Sequence, residues 1–148
     1  MVKVTNGVIA YMSPNGDNAN DGLTMLTPKK SIYGVLNSIE NVETIIFLEG
    51  EYVSGVNYFD SAFGQQGQVI NQPINFIGLG KVIFNNLNNY PIKFENSVYC
   101  ENIHFKGGNN CVVVNHSSRQ YYSVFNHCTF SNSYTLNGLA LLGGLGCD

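Results

Sequence analysis

Tyr99-Cys100-Glu101-Asn102-Ile103-His104-Phe105-Lys106-Gly107 can be laid over Val124-Phe125-Asn126-His127-Cys128-Thr129-Phe130-Ser131-Asn132 without a gap. The pattern inside both stretches is apolar-x-Phe-polar. It occurs a third time upstream, as Val82-Ile83-Phe84-Asn85, so that Phe84, Phe105 and Phe130 stand 21 and 25 residues apart. Units of this length built from short strands predict a solenoid, in which each coil buries its inward face on the next. Along such a strand, inward and outward residues alternate. Ile103 and Phe105 are therefore expected to face in and His104 out, and Cys128 and Phe130 in with Thr129 out. Two-residue Asn-Gly links between long alternating runs, which would mark the hairpins of a β-sandwich, are scarce.

Outward from these units the chain stays β-like. Thr44-Ile45-Ile46-Phe47-Leu48, Ile74-Asn75-Phe76-Ile77, Ile92-Lys93-Phe94 and Cys111-Val112-Val113-Val114 are short apolar or β-branched runs divided by Asn and Gly. One helical pattern breaks the series. Ile32, Val35, Leu36 and Ile39 fall at i, i+3, i+4 and i+7, and Thr27-Pro28 ahead of them has the form of a cap followed by Pro at the first helical position. A single helix is expected over about residues 28–40.

Composition agrees. The chain has 148 residues, one domain by length, with 44% hydrophobic residues and only 11% charged ones. That is less than half the usual charged share of roughly 25%. Asn supplies the missing polarity, and together with 16 Gly it provides turns that tolerate positive φ. Asn side chains at the coil corners, Asn102 among them, are expected to form ladders along the axis. A net charge of −3 with seven Lys and Arg, one of them Arg (Arg119), provides no basic footprint for nucleic acid. No stretch reaches the length of a membrane span, and Met1 to Gly7 lacks the apolar core of a signal peptide. Cys100, Cys111, Cys128 and Cys147 have neither zinc-like nor disulfide-framework spacing, and Cys100 and Cys128 read as small buried apolar residues.

Tyr11-Met12-Ser13-Pro14-Asn15-Gly16-Asp17, Asn20-Asp21-Gly22, Thr27-Pro28-Lys29-Lys30-Ser31-Ile32 and Thr44-Ile45-Ile46-Phe47-Leu48-Glu49-Gly50-Glu51-Tyr52 together resemble the N-terminal entry of pectate-lyase-like right-handed β-helix proteins. The resemblance is close over residues 10–52 and looser beyond. It implies an all-β, right-handed parallel β-helix with an N-terminal capping α-helix. Residues 1–52 would form the strand, loop, helix and first coil, and residues 53–148 the remaining coils of the same domain. The group spans polysaccharide lyases and hydrolases, surface proteins and phage tail appendages, so fold alone does not choose among them.

The chemistry-bearing residues narrow the choice. Lyase action needs a base and cations around a uronate carboxylate, and hydrolysis needs two acids across one face. The coils provide Lys81, Lys93, Lys106 and Arg119, with Glu95 and Glu101 as the acidic pair. His104, His116 and His127 lack metal-like spacing. This sparse set favours a non-catalytic structural or carbohydrate- and receptor-facing module of a phage tail appendage or a similar virion or surface protein. A polysaccharide lyase or glycoside hydrolase, or a fragment of one, is the alternative.

Glycan contacts are expected from aromatics beside polar groups, at Arg119, Tyr121 and Tyr122 and in the long excursion between Gly50 and Gln72 that carries Tyr58 and Phe59. Asp17 and Asp21 frame a Gly-terminated loop that resembles a calcium site, although Ala19 holds its third position and Pro28 its twelfth. A turn held by Asx hydrogen bonds is the competing reading. The apolar run from Leu136 to Gly146, without a polar closing cap, predicts assembly into a homo-oligomer, a trimer in the tail-appendage case, or continuation into a longer protein.

Overall fold

A computed structural model describes residues 7–58, 67–87, 91–108, 110–116, 118 and 120–131, and the backbone of 137–141. One helix, α1 (Ile32–Ser38), follows β1 (Val8–Met12). After it come β2 (Val42–Phe47), β3 (Gly50–Val53), β4 (Gln68–Ile70), β5 (Ile74–Gly78), β6 (Val82–Asn85) and β7 (Ile92–Phe94). The series closes with β8 (Val98–Glu101), β9 (His104–Lys106), β10 (Asn110–Val114), β11 (Ser123–Asn126), β12 (Thr129–Ser131) and β13 (Asn137–Leu141). The strands form three open sheets, ordered β1-β2-β5-β8-β11, β3-β6-β9-β12 and β4-β7-β10-β13, and every pairing is parallel. From β2 onward, successive strands enter the first, second and third sheet in rotation.

The internal repeat sets the register. Tyr99 pairs with Val124 and Cys100 with Phe125, and further along His104 pairs with Thr129 and Phe105 with Phe130, as the superposed sequences require. Phe84 pairs with Phe105, and Tyr52 with Phe84, so one aromatic column runs Tyr52, Phe84, Phe105, Phe130 across the second sheet. Neighbouring rings in it lie 5.3–5.4 Å apart, from tilted to edge-on and, at the last step, stacked. A second column crosses the first sheet as Ala10, Ile45, Phe76, Cys100 and Phe125. Phe47 joins the two, edge-on to Tyr52, Phe76 and Phe84. Around β9 the inward residues are buried and the outward one is not, with Ile103 and Phe105 about 1% and 0% exposed beside a half-buried His104, whereas Cys128 and Phe130 are only partly buried.

Asparagine secures bends among the described residues by donating its side-chain amide to main-chain carbonyls. Asn102 has φ +55° and donates its amide to the carbonyls of both Gly78 and Gly80, at 3.0 Å each. Gly78 has to be glycine there, because a Cβ would sit 2.2 Å from the Asn102 carbonyl oxygen. Asn86 donates to Asn110 O and Asn96 to Asn71 O in the same manner. A carbonyl at a bend has no strand partner, and an amide from the adjoining bend satisfies it.

The helix is shorter than its periodicity suggests. It starts after Ser31, whose hydroxyl accepts from Gly34 N, and the Thr27-Pro28 cap is not used. Lys29 is held extended beside β1, with its N–H on Tyr11 O and its carbonyl taking Ser13 N–H, which delays helix entry to Ser31. This strap, with Gly22 O on Tyr11 N–H, covers the outer edge of β1. The apolar stripe does face the core as expected, with Ile32 and Val35 buried and Leu36 and Ile39 packed against them. Among the described residues no helix is long and apolar enough to cross a membrane.

Candidate functional site

The segments that lead into the strands of the first sheet, from α1 into β2 and from the third sheet into β5, β8 and β11, place one residue after another along a common line. Asn41 precedes β2, Gln72-Pro73 precede β5, Ser97 precedes β8 and Tyr122 precedes β11. Together with Val42 and Glu43 they line a shallow groove of about 450 Å³. A second stretch of about 410 Å³, lined by the C-terminal half of α1 with Glu40, Asn41 and Gln72, continues it. Three strand steps separate the Asn41 and Tyr122 ends, about 14 Å at the usual spacing between paired strands.

Backbone and side-chain bonds fix the floor. Gln72 donates through Nε2 to Val42 O at 3.0 Å, and Ser97 Oγ accepts Tyr122 N–H at 3.2 Å. Val98 N–H reaches Tyr122 O and Ile74 N–H reaches Ser97 O, so each connection rests on the next. Tyr122 stays 44% exposed and contributes an aromatic wall beside Pro73. Glu43 is different in kind. Its Oε2 is buried and has no hydrogen-bond partner, while its methylenes lie so close to Gly7 that a Cβ there would meet Glu43 Cγ at 2.0 Å.

The other expected site residues fall elsewhere. Tyr121 is half-buried with its ring edge-on to His116 at 6.0 Å, and His116 Nε2 bonds Ser123 Oγ at 3.0 Å. Tyr121 thus braces the segment that presents Tyr122. Tyr58 is 0% exposed and packs on Phe84, so it belongs to the core and is not a surface contact; burial pushes its phenol well above the ordinary value. Phe59, Arg119 and Cys147 lie outside the described residues. Cys100, Cys111 and Cys128 are free thiols, each raised above the ordinary pKa by burial.

Asp17 and Asp21 serve the turn. Asp17 Oδ1 accepts Ala19 N–H at 2.9 Å, and Asp21 Oδ1 accepts Leu23 N–H at 3.0 Å and the Thr27 hydroxyl at 2.6 Å. The bonds from Leu23 and Thr27 hold the Asp21 carboxyl below its usual range. The cation in this loop is Lys29, 3% exposed, whose ammonium binds the carbonyls of Asn18 and Asn20 at 2.8 and 2.5 Å. Among the described residues no group of three or more His, Cys, Asp or Glu side chains is arranged to hold a metal.

A second polar constellation lies on the outer face of the second sheet. Glu51 Oε1 accepts Asn85 Nδ2 at 2.6 Å and stands 3.4 Å from Lys106 Nζ, while His104 Nε2 and Ser131 Oγ are 2.6 Å apart. Asn85, and secondarily the Lys106 charge, hold Glu51 below the ordinary carboxylate range. The expected acids are engaged elsewhere, Glu95 with Lys93 at 2.7 Å and Glu101 with the Tyr99 hydroxyl at 2.9 Å. Glu51 joins this face because Tyr52 heads the phenylalanine column. Aligning Gly50-Glu51-Tyr52 with Val82-Ile83-Phe84 is the sequence signal that locates it. Gln72, Ser97 and Glu43 have no such signal.

Comparison of the chain with protein-family models, curated proteins and solved structures finds no match.

Proposed function

We propose that the chain winds as a right-handed parallel β-helix and serves as a non-catalytic, glycan-facing structural module of a phage tail appendage or similar surface protein. The winding is supported by the rotation of strands among three parallel sheets and by the columns of equivalent residues, and the handedness by the strong preference of parallel crossovers. The resemblance of residues 10–52 to pectate-lyase-like proteins points the same way. The glycan role rests on one observation: a groove about 14 Å long that combines an exposed tyrosine with amide and hydroxyl groups on a rigid, parallel-paired floor. Aromatic faces stack on the apolar faces of sugar rings, and fixed polar groups choose among hydroxyl patterns. Assembly into a trimer belongs to the same proposal, and sedimentation equilibrium checks it.

The test is binding of the full chain to a glycan array, repeated with Tyr122→Ala. Retained folding with at least tenfold weaker glycan binding is expected. Equal binding by the variant removes the groove from the reading.

Polysaccharide cleavage is the second reading, favoured by the meeting of Glu51, Lys106, His104 and Ser131 on one outer face. Incubation with acidic and neutral polysaccharides separates the two readings. New reducing ends or unsaturated products, abolished by Lys106→Ala, would establish an enzyme.

A further inference from the structure

Resting on the reading of the groove as a glycan seat, we infer that it takes a straight sugar chain laid across the strands, one ring to each strand step, and not a coiled one. The register carries this. Ile74 pairs with Val98 and Val98 with Ser123, so Pro73, Ser97 and Tyr122, each one residue earlier, hold equivalent positions ahead of β5, β8 and β11. Counting back from the pairing of Thr44 with Asn75 sets Val42 opposite Pro73 and Asn41 opposite Gln72. Main-chain bonds lock the steps, Ile74 N–H to Ser97 O and Val98 N–H to Tyr122 O. All of these groove residues line one continuous stretch. Its lining therefore advances by one strand spacing, about 4.8 Å, at each position.

That step is close to the length of one ring in a chain joined through equatorial bonds at opposite ends of each sugar, as in cello- and chito-oligosaccharides. Such a chain is a straight ribbon and meets the lining once per ring. One ring stacks on the exposed Tyr122 and the next lies over Ser97. A third reaches the exposed Pro73 with Gln72 beside it, and a fourth reaches Asn41. A chain with axial links, as in malto-oligosaccharides, turns at every ring and soon leaves this line. The floor does not bend to follow it, because parallel pairing fixes each step. One added hydrogen bond strengthens binding roughly 2- to 10-fold, so rings that stay in step multiply the affinity and rings that leave the line add little. The pitch of the chain is selected ahead of the identity of its sugars.

Titration calorimetry of the full chain with disaccharides and tetrasaccharides of the cello, chito and malto series tests this. The cello or chito tetrasaccharide is expected to bind at least about tenfold more tightly than its disaccharide, and the malto pair to differ less than about twofold. Tyr122→Ala is expected to weaken every sugar that binds. Gln72→Ala, two steps from Tyr122, is expected to weaken the straight tetrasaccharide severalfold more than its disaccharide. Should that variant not fold, Asn41→Gly, which suits the φ of +56° at that position, gives the same comparison one step further on. A malto tetrasaccharide that binds as tightly as the straight ones and depends on Tyr122 overturns the pitch and leaves the glycan seat standing. Straight chains that gain nothing with length have the same consequence. If no series binds, or if Tyr122→Ala changes nothing, both fall.

Discussion

The ammonium of Lys29 is bonded to the carbonyls of Asn18 and Asn20 in the loop that carries Asp17 and Asp21. A tethered cation needs no ligand concentration to stay in place. Its loss leaves two carbonyls facing each other in a closed turn, without a donor. Lys29→Met is expected to lower unfolding free energy by about 2–4 kcal/mol in urea titration. Addition of calcium to the variant shows whether an ion restores it.

Asn102 combines two properties that can be separated. Its φ of +55° is costly for a residue with a Cβ and no compensating bonds, and its amide ties two carbonyls of the adjoining bend. Asn102→Gly loses only the bonds, about 1–2 kcal/mol, whereas Asn102→Ala loses the bonds and adds about 1 kcal/mol of backbone strain. Thermal melts should therefore rank the native residue first, Gly second and Ala last. An Ala variant as stable as Gly would show that the bend relaxes.

At the scale of elements, the strands of the second sheet are identical in construction inside and different outside. Tyr52, Phe84, Phe105 and Phe130 repeat one inward position on β3, β6, β9 and β12, while the outward neighbours are Glu51, Ile83, His104 and Thr129. Packing constrains the first set to large rings, and solvent leaves the second free to vary. On this outer face Glu51 has a folded-state pKa below its unfolded value near 4.5. Its stabilising contribution is complete above that value and disappears as pH falls through the lowered one. The group is substantially exposed, so the effect stays under about 1 kcal/mol. Melting temperature measured from pH 7 to 3 should fall slightly more steeply for the native chain than for Glu51→Gln; parallel curves would show that the Asn85 and Lys106 contacts contribute nothing.

Across the whole molecule, each strand is stabilised chiefly by those on either side of it in its sheet. β2 and β5 through β10 have partners on both edges, whereas β1, β3, β4, β11, β12 and β13 end their sheets. Opening of an end strand breaks one row of bonds and exposes one set of side chains. Hydrogen exchange followed by mass spectrometry should find the slowest amides in β5 through β10 and faster exchange in β11 and β12. Uniform protection would indicate one cooperative unit without such a gradient.

Much of this was legible in the residues, because a repeated inward position is a local pattern. The apolar-x-Phe-polar units specify strand length, facing and the pairing of Phe84, Phe105 and Phe130, and a one-residue slip would turn every phenylalanine outward. The i, i+3, i+4, i+7 stripe likewise specifies which helix face is buried. Tertiary contacts decided the rest. The helix begins at Ser31 because Lys29 is already bonded to β1. Tyr58 is core because its backbone carries it beneath Phe84. The groove joins Asn41, Gln72, Ser97 and Tyr122 across more than 80 positions of sequence. Those residues share no pattern of their own; only the pairing of strands on parallel edges brings them into line.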